Sequence, residues 1–159
     1  MNNKIKELVL SCGADVCGIA NIDRFDNAPD GFSPRDIWNG CKEDTLTARG
    51  LISIKHTAVL CGLGTIGKSS LLLNPQFGSL LTIGVILTDL PLESDPLCPN
   101  VCIEGCTLCI DSCPVHAIEK GTVNQKSCRQ NSYGKTKRGF DTVDCNLCRT
   151  VCPRRFGIK

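Results

Sequence analysis

The chain contains the same cysteine pattern twice near its end. Each copy has two cysteines separated by two residues, then a third cysteine after three more residues, followed directly by proline. The two copies are Cys106, Cys109, Cys113–Pro114 and Cys145, Cys148, Cys152–Pro153. In two-cluster ferredoxins the closely spaced cysteines bind one iron–sulfur cluster, and the cysteine before the proline binds the other. The repeat therefore predicts two 4Fe-4S clusters.

Each cluster needs four thiolates, so each copy must gain one cysteine. Cys102 precedes the first copy and Cys128 precedes the second. The predicted ligand sets are Cys102, Cys106, Cys109 and Cys152 for one cluster, and Cys113, Cys128, Cys145 and Cys148 for the other. Two features depart from the ferredoxin pattern: three residues separate Cys102 from Cys106, and Thr142 stands where a ferredoxin has its leading cysteine. Cys98 is therefore an alternative to Cys102.

Zinc ribbons and disulfide-rich secreted domains fit this pattern less well. A tetrahedral zinc site closes with four ligands and has no need of a third cysteine and a proline in both copies. The segment Met1–Leu10 carries Lys4, Lys6 and Glu7 among its apolar residues, unlike the apolar core of a signal peptide. No apolar run is long enough to span a membrane. The 13 cysteines therefore predict metal ligation in a reducing cytoplasm.

Charge is unevenly distributed along the chain, whose net charge is only +2. Residues 126–159 hold nine basic and two acidic side chains, whereas residues 1–125 hold nine basic and 14 acidic ones. The basic end can be a docking face for RNA or for an acidic electron donor. It can equally serve to neutralise clusters that carry negative charge. Both interpretations remain open.

The order of apolar and turn residues predicts a mixture of short helices and strands. The 4% aromatic content leaves the core to Ile, Leu and Val, and the cysteine-rich end has so few long apolar runs that metal clusters must help to hold it together. The first expected elements are a helix over Asn3–Ser11 closed by Gly13, a strand over Asp15–Ala20 and a helix from Ser33 to Gly40 that packs Trp38. They are followed by either a helix from Thr47 to Cys61 or a buried strand over Ile52–Leu60, then by a strand over Leu81–Leu87 and an exposed loop over Asn131–Gly139. The remaining cysteines are expected to be small buried hydrophobic residues, namely Cys12, Cys17, Cys41 and Cys61.

A glycine-rich segment matches two anion-binding patterns at once. Its candidate cofactor-binding residues are Gly62, Gly64, Gly67, Lys68 and Ser69, which fit both the dinucleotide and the P-loop motif. Both motifs place an anion on backbone N–H groups at the start of a helix. Asn74–Pro75 would end such a helix about seven residues after Lys68, which is short for a P-loop. Nucleotide hydrolysis, binding of another cofactor and a purely structural turn all remain open.

Several segments resemble the epoxyqueuosine reductases and their uncharacterised iron–sulfur relatives. They are residues 12–20, residues 55–73 with the glycine-rich segment, residues 76–79, residues 85–89 and the two Cys-Pro motifs, in the same order. In that family the glycine–lysine segment belongs to the cobalamin-binding half, and a ferredoxin-like half delivers electrons to the corrinoid. The resemblance implies an α+β protein, with a truncated α/β segment over 1–97, a ferredoxin-like two-cluster domain over 98–159 and cobalamin as a further cofactor.

The middle of the cobalamin-binding half is missing from this chain. Between Gly40 and Leu51 there are barely ten residues, where family members have several strands and helices and their general-acid aspartate. No catalytic residue can therefore be assigned.

Three hypotheses follow from the motifs and the resemblance. The favoured one is a redox protein whose clusters transfer single electrons to a partner reductase or cofactor. The second is a compact corrinoid-dependent reductase of tRNA modification, and the third is a P-loop protein with a ferredoxin module. The expected partners are ferredoxin, flavodoxin or a reductase, and tRNA at the basic end. No membrane partner is expected, and a homo-oligomer stays open.

Overall fold

The computed structural model describes residues 1–28, 52–119 and 121–158. The helices are α1 (Asn2–Ser11), a 3-10 helix (Ile22–Phe25), α2 (Ile54–Leu60), α3 (Leu108–Asp111), α4 (Gln125–Ser132) and α5 (Leu147–Thr150). The strands are β1 (Thr65–Ile66), β2 (Leu72–Leu73), β3 (Ile118–Glu119), β4 (Thr122–Val123), β5 (Tyr133–Lys135) and β6 (Asp141–Val143). They pair as β1–β2, β3–β4 and β5–β6, the last two antiparallel. The α+β prediction is confirmed at this level.

The chain divides into two compact units. The first contains Met1–Thr65 and Thr82–Pro99, and the second contains Ile66–Leu81 and Asn100–Lys159. All eight cysteines of the two predicted ligand sets lie in the second unit, and so does Lys68. The described part of the chain has no helix long and apolar enough to cross a membrane.

The predicted N-terminal helix is confirmed as α1, and Gly13 follows it with a φ of +98°. The segment within 52–60 is a helix, α2, rather than a strand. The predicted helix at 33–40, with Trp38, and the expected burial of Cys41 lie outside the described residues. Cys12 is exposed and both Cys17 and Cys61 are half-buried, so the expected burial is wrong for Cys12 and incomplete for the other two.

Asp95 organises the first unit in place of the strand predicted over Asp15–Ala20. Its backbone N–H donates to the carbonyl oxygen of Ile19 at 2.8 Å, and its Oδ2 accepts from the Ile19 N–H at 2.8 Å. Its Oδ1 lies 2.5 Å from Lys6 Nζ. The strand prediction is wrong because Ile19 bonds to a single residue and not to a neighbouring strand.

The strand predicted over Leu81–Leu87 is also wrong. These residues form no regular element, and the side chains of Ile86 and Leu87 are 79% and 40% exposed. Leu81, Ile83 and Val85 are half-buried, but no strand in the described part of the chain pairs with this run, and pairing with a neighbour is what makes extended residues a strand.

The core of the second unit contains predicted ligand cysteines. Cys113, Ala117 and Ile118 are buried, and Ile110, Val123, Cys128 and Cys148 pack against them. The expected exposed loop over Asn131–Gly139 is corrected to the end of α4, β5 and the turn of a hairpin, because β5 begins directly after α4 and pairs with β6.

We expect Gly78→Ala to destabilise the second unit. Gly78 has a φ of +63°, and an added Cβ would lie 2.2 Å from backbone atoms of Arg154 and Arg155, which cannot rotate away. The loss should exceed about 2 kcal/mol in the free energy of unfolding, measured with denaturant on anaerobically prepared protein. Gly121→Ala is the matched control, because its φ is +86° with no atom within 4 Å. An equal loss in both variants would show that the close approach is unimportant.

Candidate iron–sulfur site

The repeated cysteine motif folds into a repeated local structure. The middle cysteine of each copy lies on a four-residue helix, Cys109 on α3 and Cys148 on α5, and the two helices contact each other. The cysteine before the proline follows each helix, and its N–H donates three residues back: Cys113 to the carbonyl of Ile110 at 3.2 Å, and Cys152 to that of Arg149 at 3.3 Å. The same backbone geometry therefore presents the third thiol in both halves.

Four predicted ligands line one pocket, and they are Cys102, Cys106, Cys109 and Cys152. Three come from the first motif and its preceding loop, and the fourth comes from the second motif. Cys102 is held by its N–H, which donates to Asn100 Oδ1 at 3.1 Å. Burial raises the pKa of the Cys109 thiol, and the nearby thiols of Cys102, Cys152 and Cys106 raise it further. The structure thus brings this predicted set together.

The other four predicted ligands also come together, around Cys148. Burial raises the pKa of its thiol, and Cys128, Cys145 and Cys113 add to the shift. Cys113 Sγ accepts a hydrogen bond from the Ala117 N–H at 3.2 Å. Cys128 lies on α4, 3.6 Å from Ser132 Oγ. Hydrogen bonds of this kind stabilise negative charge on sulfur and tune the potential of a cluster.

The alternative first ligand, Cys98, is placed differently from Cys102. Cys98 falls in the first unit, where its thiol donates to the carbonyl oxygen of Pro99 at 3.3 Å. Cys102 is the cysteine that joins Cys106 and Cys109 around the pocket. The geometry therefore favours Cys102.

The chemistry of the pocket fits an anionic cluster. Burial and the three neighbouring cysteines disfavour the thiolate form of Cys109. All four cysteines can therefore be thiolates together only if a positively charged core lies between them. Arg154, directly after Cys152–Pro153, also lines the pocket, and its Nε is buried without a hydrogen-bond partner. A buried guanidinium donor beside four sulfurs suits a ligand with net negative charge. Sequence reasoning counted Arg154 only as part of a basic end.

The arrangement differs from a site for a single ion. Within the residues described, no three side chains of His, Cys, Asp or Glu are close enough to hold one metal ion. A 4Fe-4S cluster does not require that closeness, because each of its four irons takes one thiolate.

The glycine-rich segment does not have the geometry of either nucleotide motif. It follows α2 and runs from β1 through a turn to β2, so the expected helix start after it is wrong. Two N–H groups of the loop form hydrogen bonds within it. The Gly67 N–H donates to the Leu71 carbonyl, and the Ser70 N–H donates to the Gly67 carbonyl, each at 2.8 Å. Ser69 is buried, and Gly62 and Gly64 belong to the first unit. The N–H groups of Gly67 and Ser70 are therefore already engaged within the loop.

Lys68 instead connects the glycine-rich segment to the cysteine loop of the second unit. Its Nζ donates to the carbonyl oxygen of Cys106 at 2.8 Å and to that of Ile103 at 3.2 Å. Gly67, Lys68 and Ser69 line the same pocket as the four cysteines. The predicted cofactor residues of this unit therefore lie beside the first cysteine set, with the ammonium group of Lys68 bound to protein carbonyls.

Comparison with known proteins reveals one consistent relationship. No protein-family profile matches the chain. An epoxyqueuosine reductase of Synechococcus sp. (strain CC9605) is 35% identical over 128 residues, covering 73% of this chain and 38% of that protein. The Staphylococcus aureus enzyme of the same name is 30% identical over 121 residues, covering 69% of this chain and 31% of the relative. The chain is therefore similar in sequence to the epoxyqueuosine reductases over most of its length.

The structural comparison agrees with the sequence comparison. An epoxyqueuosine reductase from Streptococcus thermophilus superposes with a TM-score of 0.54 at 25% identity, covering 69% of this chain and 32% of that one. Another epoxyqueuosine reductase, solved with an epoxyqueuosine-modified tRNA stem loop, gives a TM-score of 0.53 at 25% identity and covers 73% of this chain. The resemblance inferred from the motifs is confirmed, and the chain spans less than two fifths of the relatives' length.

Proposed function

We propose that this chain holds two 4Fe-4S clusters and serves as the electron-transferring part of an oxidoreductase of the epoxyqueuosine reductase type. The observation that carries the proposal is the assembly of eight cysteines into two sets of four, each of which draws its thiols from both motifs. When bound, such clusters supply one-electron transfer. Cys102, Cys106, Cys109 and Cys152 would hold one, and Cys113, Cys128, Cys145 and Cys148 the other.

The protein's own groups are arranged to stabilise negative charge at these sulfurs. Lys68 and Arg154 contribute positive charge at the first set, and the Ala117 N–H donates to Cys113 in the second. Each interaction favours a reduced, more negative state over an oxidised one. The predicted role in electron transfer and the local electrostatics therefore agree.

The relatives favour a reductase over a free-standing electron carrier. They are named for the reduction of epoxyqueuosine, and one of the similar structures contains a modified tRNA stem loop. We therefore extend the proposal to reduction of a modified base in tRNA, with a corrinoid as electron acceptor beside the glycine-rich segment. The P-loop hypothesis loses its support, because the strand β2 and not a helix comes directly after that segment, and Lys68 Nζ is bound to carbonyl oxygens.

Anaerobic reconstitution tests the clusters directly. We expect about eight irons and eight acid-labile sulfides per chain, with a brown colour that bleaches on reduction by dithionite. The measurement is a count of iron, sulfide and zinc on the same sample. Protein that stays colourless, or that binds zinc in place of iron under these conditions, would contradict the proposal.

Titration with cob(II)alamin then tests the corrinoid separately from the clusters. Binding should change the paramagnetic spectrum of the cobalt. The affinity for cob(II)alamin should be the same in Cys113→Ser, because Cys113 belongs to the second set and the proposed corrinoid lies beside the glycine-rich segment. If the spectrum is unchanged in protein with full iron content, the chain transfers electrons without a corrinoid, and the first hypothesis of a redox carrier replaces the reductase.

A further inference from the structure

A hairpin in the second unit presents apolar side chains to solvent. β5 and β6 pair with Tyr133 opposite Val143, Gly134 opposite Thr142 and Lys135 opposite Asp141. Because side chains alternate along a strand, Tyr133, Lys135, Asp141 and Val143 share one face. Tyr133 is 58% exposed and Val143 is 68% exposed. A tyrosine and a valine paired in water on a two-stranded sheet leave an apolar surface uncovered.

The turn of the hairpin adds an aromatic ring and two cations. The Gly139 N–H donates to the Thr136 carbonyl at 2.9 Å, and the Thr136 N–H donates to the Phe140 carbonyl at 2.8 Å. Gly139 has a φ of +87°, so this is the three-residue hairpin loop that ends in a left-handed glycine. Lys137 and Arg138 are exposed at the tip, and Phe140 is 68% exposed.

We define the hairpin face as this exposed strand face together with the tip of the hairpin. Its members are Tyr133, Lys135, Asp141 and Val143 on the strands and Lys137, Arg138 and Phe140 at the tip. Three of them are basic and one is acidic, and that acid forms an ion pair with Lys135 at 2.9 Å. Lys137 and Arg138 therefore leave the face positively charged. The face has an apolar pair at its base, an ion pair beyond it and an aromatic ring with two cations at the tip. Exposed aromatic side chains and arginine are enriched in protein–protein contact surfaces.

The hairpin face is connected directly to the second cysteine set. β5 follows α4, which carries Cys128, and Cys145 is two residues beyond Val143. The base of the hairpin is closed by the Asp144 N–H, which donates to the Ser132 carbonyl at 2.8 Å, and Ser132 Oγ lies 3.6 Å from Cys128 Sγ. About 7 Å of extended backbone separates Val143 from Cys145. A partner bound to this face would lie close to these cysteines.

We propose that the hairpin face is the docking surface for an acidic electron-carrier protein of the ferredoxin or flavodoxin class. The inference rests on the proposed function, since it assigns the entry of electrons to the second cysteine set. In each encounter the reduced carrier loses one electron and this chain gains it, with no bond made or broken. Small interfaces steered by opposite charge are typical of electron-transfer complexes. RNA is a weaker candidate, because Asp141 places a carboxylate on this face and pairs with Lys135, and phosphates are bound by unpaired cations.

The test uses reconstituted protein and oxidised plant-type ferredoxin as the acidic probe, with binding measured by calorimetry at low and at higher ionic strength. The variant Lys137→Glu/Arg138→Glu should weaken binding about tenfold and reduce its salt dependence. Phe140→Ser should weaken binding by a similar factor without changing the salt dependence. Iron content should stay the same as in the unmodified protein, because neither variant alters a cysteine.

Two controls match these changes elsewhere on the surface. Lys4→Glu reverses an exposed charge, and Leu8→Ser removes a side chain that is 64% exposed. Both should bind ferredoxin as tightly as the unmodified protein. Equal affinity for all variants would overturn the docking surface.

Three further outcomes would each count against a specific part of the inference. If the hairpin variants lose affinity for a short stem-loop RNA and keep it for ferredoxin, the face is an RNA surface and the proposal is wrong. If Phe140→Ser converts a dimer to a monomer in sedimentation, the occupant is a second copy and the proposal is equally wrong. Absence of iron from every variant and from the unmodified protein would instead reject the proposed function.

Discussion

Replacing Cys152 by serine should remove one cluster and leave the other intact. Iron in the reconstituted protein should fall from about eight to about four atoms per chain. The reason is that Cys152 belongs to the second motif in sequence but lines the pocket of Cys102, Cys106 and Cys109 in space. The surviving cluster should then be the one assigned to Cys113, Cys128, Cys145 and Cys148. Iron and sulfide analysis with low-temperature electron paramagnetic resonance provides the measurement.

Paired variants separate this crossed arrangement from a local one. If the ligands cross between motifs, Cys152→Ser and Cys109→Ser leave the same cluster and give the same resonance and midpoint potential. If each motif built its own cluster, Cys152→Ser would instead have the same resonance and midpoint potential as Cys148→Ser. The comparison needs no assumption about which signal belongs to which cluster. Identical spectra for the Cys152 and Cys148 variants would therefore reject the assignment.

The choice between Cys98 and Cys102 is decided by the same assay. Cys98→Ser should keep about eight irons, because Cys98 lies in the first unit and its thiol donates to Pro99. Cys102→Ser should lose about four and share its remaining spectrum with Cys152→Ser. The opposite result, with iron lost only in Cys98→Ser, would mean that the chain rearranges around the cluster.

The grouping of the cysteines was predictable from the sequence because covalent spacing limits which thiols can meet. Two residues between Cys106 and Cys109 place one thiol just before α3 and the other on its first turn. The proline after Cys113 lies in a turn in which the His116 N–H donates to the Cys113 carbonyl at 3.1 Å. The repeat then implies that Cys145, Cys148 and Cys152 do the same around α5. Only the fourth ligand of each set depends on less regular spacing.

Interactions between distant residues could not be predicted in the same way. Asp95 replaces a predicted strand through contacts with Ile19 and Lys6, which are 76 and 89 residues away in the sequence. Apolar periodicity reports which side chains avoid water and carries no information on such partners. The wrong strand over Leu81–Leu87 has the same origin, because no strand among the described residues pairs with it.

Lys68 shows how a correct motif match can suggest the wrong chemistry. Glycines followed by lysine and serine match a phosphate loop, yet its ammonium group donates to carbonyl oxygens 35 and 38 residues further along the chain. The motif identifies a backbone that turns tightly and a cation that projects from it. Which acceptor the cation meets is determined by the tertiary fold.

Lys68→Met should lower the midpoint potential of one cluster by about 40 mV, since about 1 kcal/mol of lost electrostatic stabilisation corresponds to that shift for a one-electron couple. Reduction adds negative charge, and Lys68 contributes positive charge to the pocket that holds the first cysteine set. Removing it disfavours the reduced state, so the potential moves in the negative direction. The partial exposure of Lys68 keeps the expected shift at this modest size.

The same substitution should loosen the loop that carries Cys102 and Cys106, because two hydrogen bonds to the Ile103 and Cys106 carbonyls are lost. Each lost hydrogen bond lowers the stability of the loop by about 1 kcal/mol. A chelator should therefore remove iron faster from Lys68→Met than from the unmodified protein. Lys68→Arg is the matched control: it keeps the charge and should preserve the potential. Anaerobic potentiometric titration followed by electron paramagnetic resonance measures both clusters, and only one should shift.

A phosphate-binding role for Lys68 makes the opposite prediction. Under that role Lys68→Met would abolish ATP binding and leave both potentials and the rate of iron release unchanged. The geometry predicts that the unmodified protein binds ATP no better than Lys68→Met, because the Lys68 ammonium group is already bonded to two carbonyl oxygens and the loop N–H groups of Gly67 and Ser70 donate within the loop. A shift confined to one cluster, together with unaltered nucleotide affinity, would therefore assign Lys68 to the electrostatics of the first cysteine set.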